Sequence, residues 1–298
     1  MNLTNCRICP WECGVNRLAG EKGVCQAGGE LKIAKAFLHP WEEPCISGTR
    51  GSGTIFFTHC NLKCVYCQNY KISQEHFGKE ISISRFADIC LSLQEKGAHN
   101  INLVSPTQFI PLVKAGLKEA KDRGLSIPVV YNGNGYEKVG TLKELNGLID
   151  VYLPDLKYFS NEHAVKYSGV PNYFSIATGA IKEMYRQVGV PRFNDEGIIL
   201  KGLIIRHLLL PGLEEDSRKI LEWIARELPR EVYLSLMGQY TPVHRAPEFP
   251  ALARPVGEEA YEEMIDYFFQ LGLENGFVQE LTSSDVGYIP DFDLAGLE

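Results

Sequence analysis

The chain contains no apolar run near the roughly 20 residues that a membrane-crossing helix requires. Its first residues, Met1-Asn2-Leu3-Thr4-Asn5-Cys6, hold no apolar stretch that could act as an export signal. These two absences predict a cytoplasmic protein with no membrane partner. Positive charge is not in excess either: 30 Lys and Arg stand against 37 Asp and Glu, for a net charge of -7. Phosphate binding needs concentrated Lys and Arg, so no nucleic-acid partner is expected. No internal repeat or low-complexity stretch stands out. Of the 298 residues, 45% are hydrophobic, enough for one large α/β domain with at most a small appendage.

Cysteine, by contrast, is plentiful. There are nine, and seven fall into two tight clusters: Cys6, Cys9, Cys13 and Cys25, then Cys60, Cys64 and Cys67. A disulfide framework fits poorly with an odd count and no export signal. Close clusters of this kind point instead to metal or redox chemistry. Cys45 and Cys90 read as ordinary thiols, one in a loop and one on a helix.

Residues 1–50 show little helical or strand period and are expected to form an irregular, cysteine-rich extension folded around a metal. Residues 51–298 have a different rhythm. Short apolar runs at 54–58, 100–104, 127–131, 150–153, 202–209 and 232–236 read as strands. Amphipathic stretches near 85–97, 108–123, 139–148, 161–188, 214–228 and 257–272 read as helices. Strands that alternate with helices predict a parallel sheet, and right-handed crossovers curl it. The expected fold class is therefore α/β, a partial TIM barrel (βα)6 preceded by the N-terminal extension. Gly48-Thr49-Arg50-Gly51-Ser52-Gly53 is the candidate hinge between the two; its glycines could instead let the first strand start close to a ligand.

Ligands of parallel α/β folds sit at the carboxyl ends of the strands. That rule gathers 59–70, Ser105-Pro106-Thr107, Asn132-Gly133-Asn134-Gly135, Pro154-Asp155-Leu156-Lys157, Pro211-Gly212 and Met237-Gly238-Gln239 at one mouth. The first of these loops spaces its cysteines Cys60-x3-Cys64-x2-Cys67. Three thiolates can hold three irons of a cubane, and no fourth cysteine follows nearby. One iron is then left open for chemistry. A closed zinc site would need His59 or Cys90. His59 adjoins Cys60 and would point the other way along a strand, and Cys90 lies in a helical pattern.

Cys-x3-Cys-x-aromatic-Cys after the first strand of such a barrel resembles the radical S-adenosylmethionine (SAM) superfamily. The resemblance implies a [4Fe–4S] cluster on Cys60, Cys64 and Cys67 whose open iron binds SAM. Reductive cleavage of SAM then gives a 5′-deoxyadenosyl radical that takes a hydrogen atom from the substrate, with no catalytic side chain required beyond the cluster. It also implies that Tyr66 packs near the adenine. Ser105 and Thr107 stand where relatives carry a Gly-Gly-Glu-type motif for the SAM amino group. No acid is present in this run, so hydroxyls and backbone carbonyls take that contact. Asn132, Asn134, Asp155 and Lys157 are similar to the strand-three and strand-four motifs of pyruvate formate-lyase activating enzymes. There the matching Asp helps bind a monovalent cation near SAM. Arg206-His207 with Pro211-Gly212 is similar to the same subfamily at strand five; read from residues alone, Arg206 is a salt bridge in the barrel interior. Segments 42–48, 53–57, 131–136 and Gln239-Tyr240 resemble the PflX-like branch.

The resemblance implies an oxidoreductase served by a one-electron reductant such as a flavodoxin or ferredoxin. Its substrate is a glycyl-radical enzyme, another peptide residue or a small molecule. A non-catalytic iron–sulfur or zinc protein is the alternative of a different class. Cys6-x2-Cys9-x3-Cys13-x11-Cys25 offers four soft ligands, a closed set suited to structure or electron relay. Zinc, a second iron–sulfur cluster and four metal-free thiols all stay open there. Gly14, Gly20 and Gly23 supply the tight turns. His39, His163 and His244 are scattered and read as hydrogen-bonded or surface histidines.

Overall fold

The structure, a computed structural model, describes residues 2–279 and 290–297. Ten strands make one extended sheet: β1 (Leu31–His39), β2 (Ser52–Phe57), β3 (Lys79–Ile81), β4 (Ile101–Val104), β5 (Val129–Gly133), β6 (Val151–Pro154), β7 (Arg192–Phe193), β8 (Ile199–Leu208), β9 (Tyr233–Met237) and β10 (Gly276–Val278). Along the sheet they run β10-β9-β8-β6-β5-β4-β2-β1-β3, with β7 added to β8. The seven strands from β2 to β10 are parallel. Every residue of β2, β4, β5 and β6 is buried, as expected for strands covered on both faces. The partial-barrel expectation holds, and all six expected strands are present.

Local chemistry explains the helical layer. Ser82 caps the helix Ile83–Glu95 by accepting from Arg85 N–H at 3.0 Å. That helix lies against Ile110–Asp122, where Gly116 is needed for closeness: a Cβ there would stand 2.4 Å from Phe86. Phe57, Phe86 and Phe109 meet behind β2 at centroid distances near 6.0 Å.

Several expectations are corrected. The stretch 161–188 is two helices, Asn161–Ser168 and Tyr173–Val188. Gly169 ends the first in the left-handed conformation, and Pro171 follows it. Residues 1–50 are not irregular throughout, because β1 pairs antiparallel with both β2 and β3. Nor does 48–53 act as a hinge. Ser47, just before it, is bonded by Gly51 N–H, and Gly51 accepts from His99 N–H. A Cβ on Gly48 would strike Ile198 at 2.4 Å, and one on Gly53 would strike the Asn100 carbonyl at 2.7 Å. These glycines serve close packing. The segment 290–297 lies along β1, with Leu294 N–H on Ala34 and Ala36 N–H on Ala295. No helix among the described residues is long and apolar enough to cross a membrane.

Candidate metal centre

The carboxyl ends of the strands surround a cavity of about 590 Å³. Cys60, Cys64 and Cys67 all face it, on a loop anchored from several sides. His59 N–H bonds Ile72, Lys63 N–H bonds Ser168, and Val65 N–H bonds Tyr167, at 2.8 to 2.9 Å. The Gln74 side chain donates to the Cys64 carbonyl at 2.9 Å.

Each sulfur also receives hydrogen bonds. Asn134 Nδ2 lies 3.3 Å from Cys60 Sγ, and Leu62 N–H 3.4 Å from it. Ser168 Oγ donates to Cys64 Sγ at 2.9 Å. Cys67 Sγ lies 3.3 Å from Ser73 Oγ and accepts from Asn69 N–H. Burial pushes the Cys60 and Cys64 thiols up to about 11 and raises Cys67, while these donors pull the other way. A sulfur that collects donors is prepared to carry negative charge, as metal thiolates do. All nine cysteines are free. No fourth cysteine lines the cavity among the described residues, so three thiolates would leave one iron of a cubane open. The residues fit such a cluster.

His59 lies outside any strand, at φ 64°, and lines the cavity beside Cys60, contrary to the direction expected from strand period. Its ring stacks on His76 at 4.3 Å and its Nδ1 bonds Thr58 Oγ1 at 2.7 Å. Burial, with the His76 charge second, lowers it to about 3. Cys90 is fully buried on its helix, away from the cavity.

Tyr66, Ser105, Asn132, Asn134, Asp155, Lys157, Arg206 and Gln239 all line the cavity. Tyr66 begins a chain of hydroxyls: Tyr66 to Tyr158 at 2.6 Å, Tyr158 to Ser168 at 2.7 Å, and Ser168 to the Cys64 sulfur. Lys157 Nζ pairs with Asp155 at 2.6 Å, so an ammonium already stands where the cation was expected. Thr107 is the exception among the expected residues. It does not line the cavity, and its hydroxyl donates to Glu137 Oε1 at 2.7 Å. That carboxyl is buried and pushed up to about 7 by desolvation.

Arg206 reaches the wall, but its guanidinium is committed, as the salt-bridge reading expects. Nε donates to Glu43 at 2.7 Å, Nη2 pairs with Glu42 and Glu43, and Nη1 lies 3.4 Å from Asn132 Oδ1. Asn102 Nδ2 braces Glu42 at 2.8 Å. Glu42 and Glu43 are the site residues that sequence reasoning missed. The signal available was two adjacent acids in a stretch, 36–49, that holds no Lys or Arg.

The four N-terminal cysteines converge as well. Cys6, Cys9, Cys13 and Cys25 line a second, much smaller void. Among the described residues no three Cys, His, Asp or Glu side chains stand at the spacing of ligands to a single ion. That holds for both cysteine sets.

Comparison with known proteins matches residues 54–224, more than half of the chain, to the model described as the radical SAM superfamily. An uncharacterized protein of Methanocaldococcus jannaschii is 35% identical over 272 residues, covering 88% of this chain and 73% of that protein. The pyruvate formate-lyase-activating enzyme of Staphylococcus epidermidis is 22% identical over 204 residues, 64% of this chain and 74% of that enzyme. Among solved structures, the FeFe-hydrogenase maturase HydG of Carboxydothermus hydrogenoformans superposes with a TM-score of 0.51 at 11% identity. The match covers 79% of this chain and 56% of that one, a likeness of fold.

Proposed function

Because the chain belongs to the radical SAM superfamily, we propose that Cys60, Cys64 and Cys67 hold a [4Fe–4S] cluster that binds SAM in this cavity. When bound, cluster and SAM supply a carbon-centred radical that takes a hydrogen atom from a substrate. The observation that carries the reading is the hydrogen bonding of all three sulfurs on one wall of a cavity whose other walls mix polar and apolar side chains.

The chain's own residues do the rest. Asn134, Ser168 and Ser73 hold the thiolates in place and lower their basicity. The hydroxyl chain from Tyr66 fixes its ring at the cavity edge, beside Tyr240 at 6.0 Å. The Ser105 hydroxyl, Asn132 and Gln239 offer polar contacts to the ends of SAM, and Lys157 offers a donor to a carboxylate.

The reductant in this reading is a flavodoxin or ferredoxin. Likeness to the S. epidermidis enzyme supports a glycyl-radical protein or another peptide as substrate. The test is SAM cleavage to 5′-deoxyadenosine by the anaerobic, reduced protein. Cys60→Ala is expected to abolish it; cleavage that survives this change sinks the assignment. A candidate glycyl-radical protein mixed with the reduced enzyme should then develop a radical signal that depends on Cys60.

A further inference from the structure

We propose that Cys6, Cys9, Cys13 and Cys25 bind a second [4Fe–4S] cluster, ligated at every corner by protein and seated behind the loop that carries Cys60.

The local chain brings four cysteines to the walls of one small void. Cys6 N–H bonds Val15 and Gly14 N–H bonds Cys6, both at 2.9 Å, so the first turn closes on itself. Glu12 takes a left-handed φ of 43° and bonds the Cys9 carbonyl at 3.1 Å, which returns the chain toward Cys13. Gly23 leaves room for the third thiol: a Cβ there would stand 2.7 Å from Cys13 Sγ. Trp11 N–H is directed at the Cys9 sulfur and Ala27 N–H at the Cys25 sulfur. This is the arrangement that Leu62 N–H makes with Cys60, an amide two residues on pointed at the sulfur. Amides so placed can donate to a metal-bound sulfur.

An independent observation asks for negative charge at the same place. Arg17 is 2% exposed and has no carboxylate partner among the described residues. Its neighbours are the Gly28 and Gln108 carbonyls, the face of Phe109, and Cys6 Sγ at 4.0 Å from Nη1. A buried guanidinium without a counter-charge is costly. A cluster with four thiolates carries net negative charge and supplies one.

Size separates the two metals that four cysteines usually take. Zinc holds sulfur at about 2.3 Å, which leaves no space among the four for a water-sized sphere. The void that these thiols line is about 10 Å³, enough for roughly one such sphere. Among the described residues no three of the four stand at the spacing of ligands to a single ion, and the same is true of the cysteine loop. A cubane puts each thiolate on a different iron and asks for no such single-ion spacing.

The site is fastened to the first one. Trp11 Nε1 donates to the Asn61 carbonyl at 2.8 Å. Gln108 lines the small void, and its Nε2 bonds the carbonyls of Thr58 and Ser105 at 2.7 and 2.8 Å. A cluster with no open iron cannot take SAM, so this one relays electrons or holds the loop.

The proposal stands apart from the SAM reading, and so does its test. The full chain is reconstituted anaerobically and assayed for iron, sulfide and zinc. Wild type should hold about eight irons. A Cys60→Ala, Cys64→Ala, Cys67→Ala variant should keep about four, with an electron paramagnetic resonance signal that SAM does not alter. Cys6→Ser with Cys9→Ser should also keep about four, with a signal that SAM does alter. If that second variant fails to fold, the first decides alone. A triple variant with no iron overturns the proposal, whether or not one zinc is found in its place.

Discussion

Replacing Arg206 by Met tests whether the acid pair of the N-terminal segment is held in the barrel by this one charge. The side chains of Arg206, Glu42 and Glu43 are 15%, 7% and 2% exposed, so the group is screened little by water. Removal of the guanidinium strands two buried carboxylates. Breaking a buried pair from one side costs about 3–5 kcal/mol, chiefly through the charge left behind. At about 2 °C per kcal/mol for a chain of this size, the melting temperature should fall by about 6–10 °C at pH 8. Glu42→Gln is the control. It leaves both hydrogen bonds between Arg206 and Glu43 intact and should cost about 1 kcal/mol or less.

The pH dependence has a definite sign. Burial alone would raise the Glu43 carboxyl, but Arg206 outweighs it and holds the group below the usual range. Wild type therefore keeps this contribution at neutral pH and loses it as pH falls through the lowered value. Without Arg206, burial of the Glu43 carboxyl is opposed only by hydrogen bonds from its own backbone and from Ser235, and the group rises. Its penalty is full at high pH and fades as pH falls toward about 4.3. The gap between wild type and R206M should accordingly narrow between pH 8 and pH 5, followed by circular dichroism. A loss below about 2 °C, a gap that widens on acidification, or an equal cost for E42Q would refute the reasoning.

Loss of a donor to sulfur should tune the cluster without emptying it. Ser168→Ala and Asn134→Leu each leave a sulfur richer in charge, so the reduction potential should drop by on the order of tens of mV, read by anaerobic redox titration. An unchanged potential in both would disconnect these bonds from the metal. Gly53→Ala drives a Cβ to 2.7 Å from the Asn100 carbonyl and should cost about 1–3 kcal/mol in urea unfolding; a neutral result would mean the two strands separate freely.

Legibility in the sequence followed the range of each signal. Cys60, Cys64 and Cys67 are local in the chain, and their spacing announces the site. The six parallel strands are short apolar runs, visible without partners. β1 was hidden by its own irregularity. Leu31 and Ile33 alternate with Lys32, but the register shifts between Ile33 and Lys35 and breaks the period. β3 and β10, at three residues each, are too short to carry a period at all. Arg206 and Glu43 are 163 residues apart, and only the folded sheet puts a β8 side chain beneath the helix Pro44–Ser47. Thr107 misleads for a related reason: it sits at the right strand end, but the short helical turn Thr107–Phe109 rotates its hydroxyl toward Glu137.

An unclosed barrel keeps two raw rims, and any rim is a template on which a foreign chain can crystallise as the next strand. Among the described residues both rims are short. β3 offers three residues, with Lys79 and Glu80 exposed on it, and β10 offers three more. Rims this short give a second strand few backbone groups on which to pair.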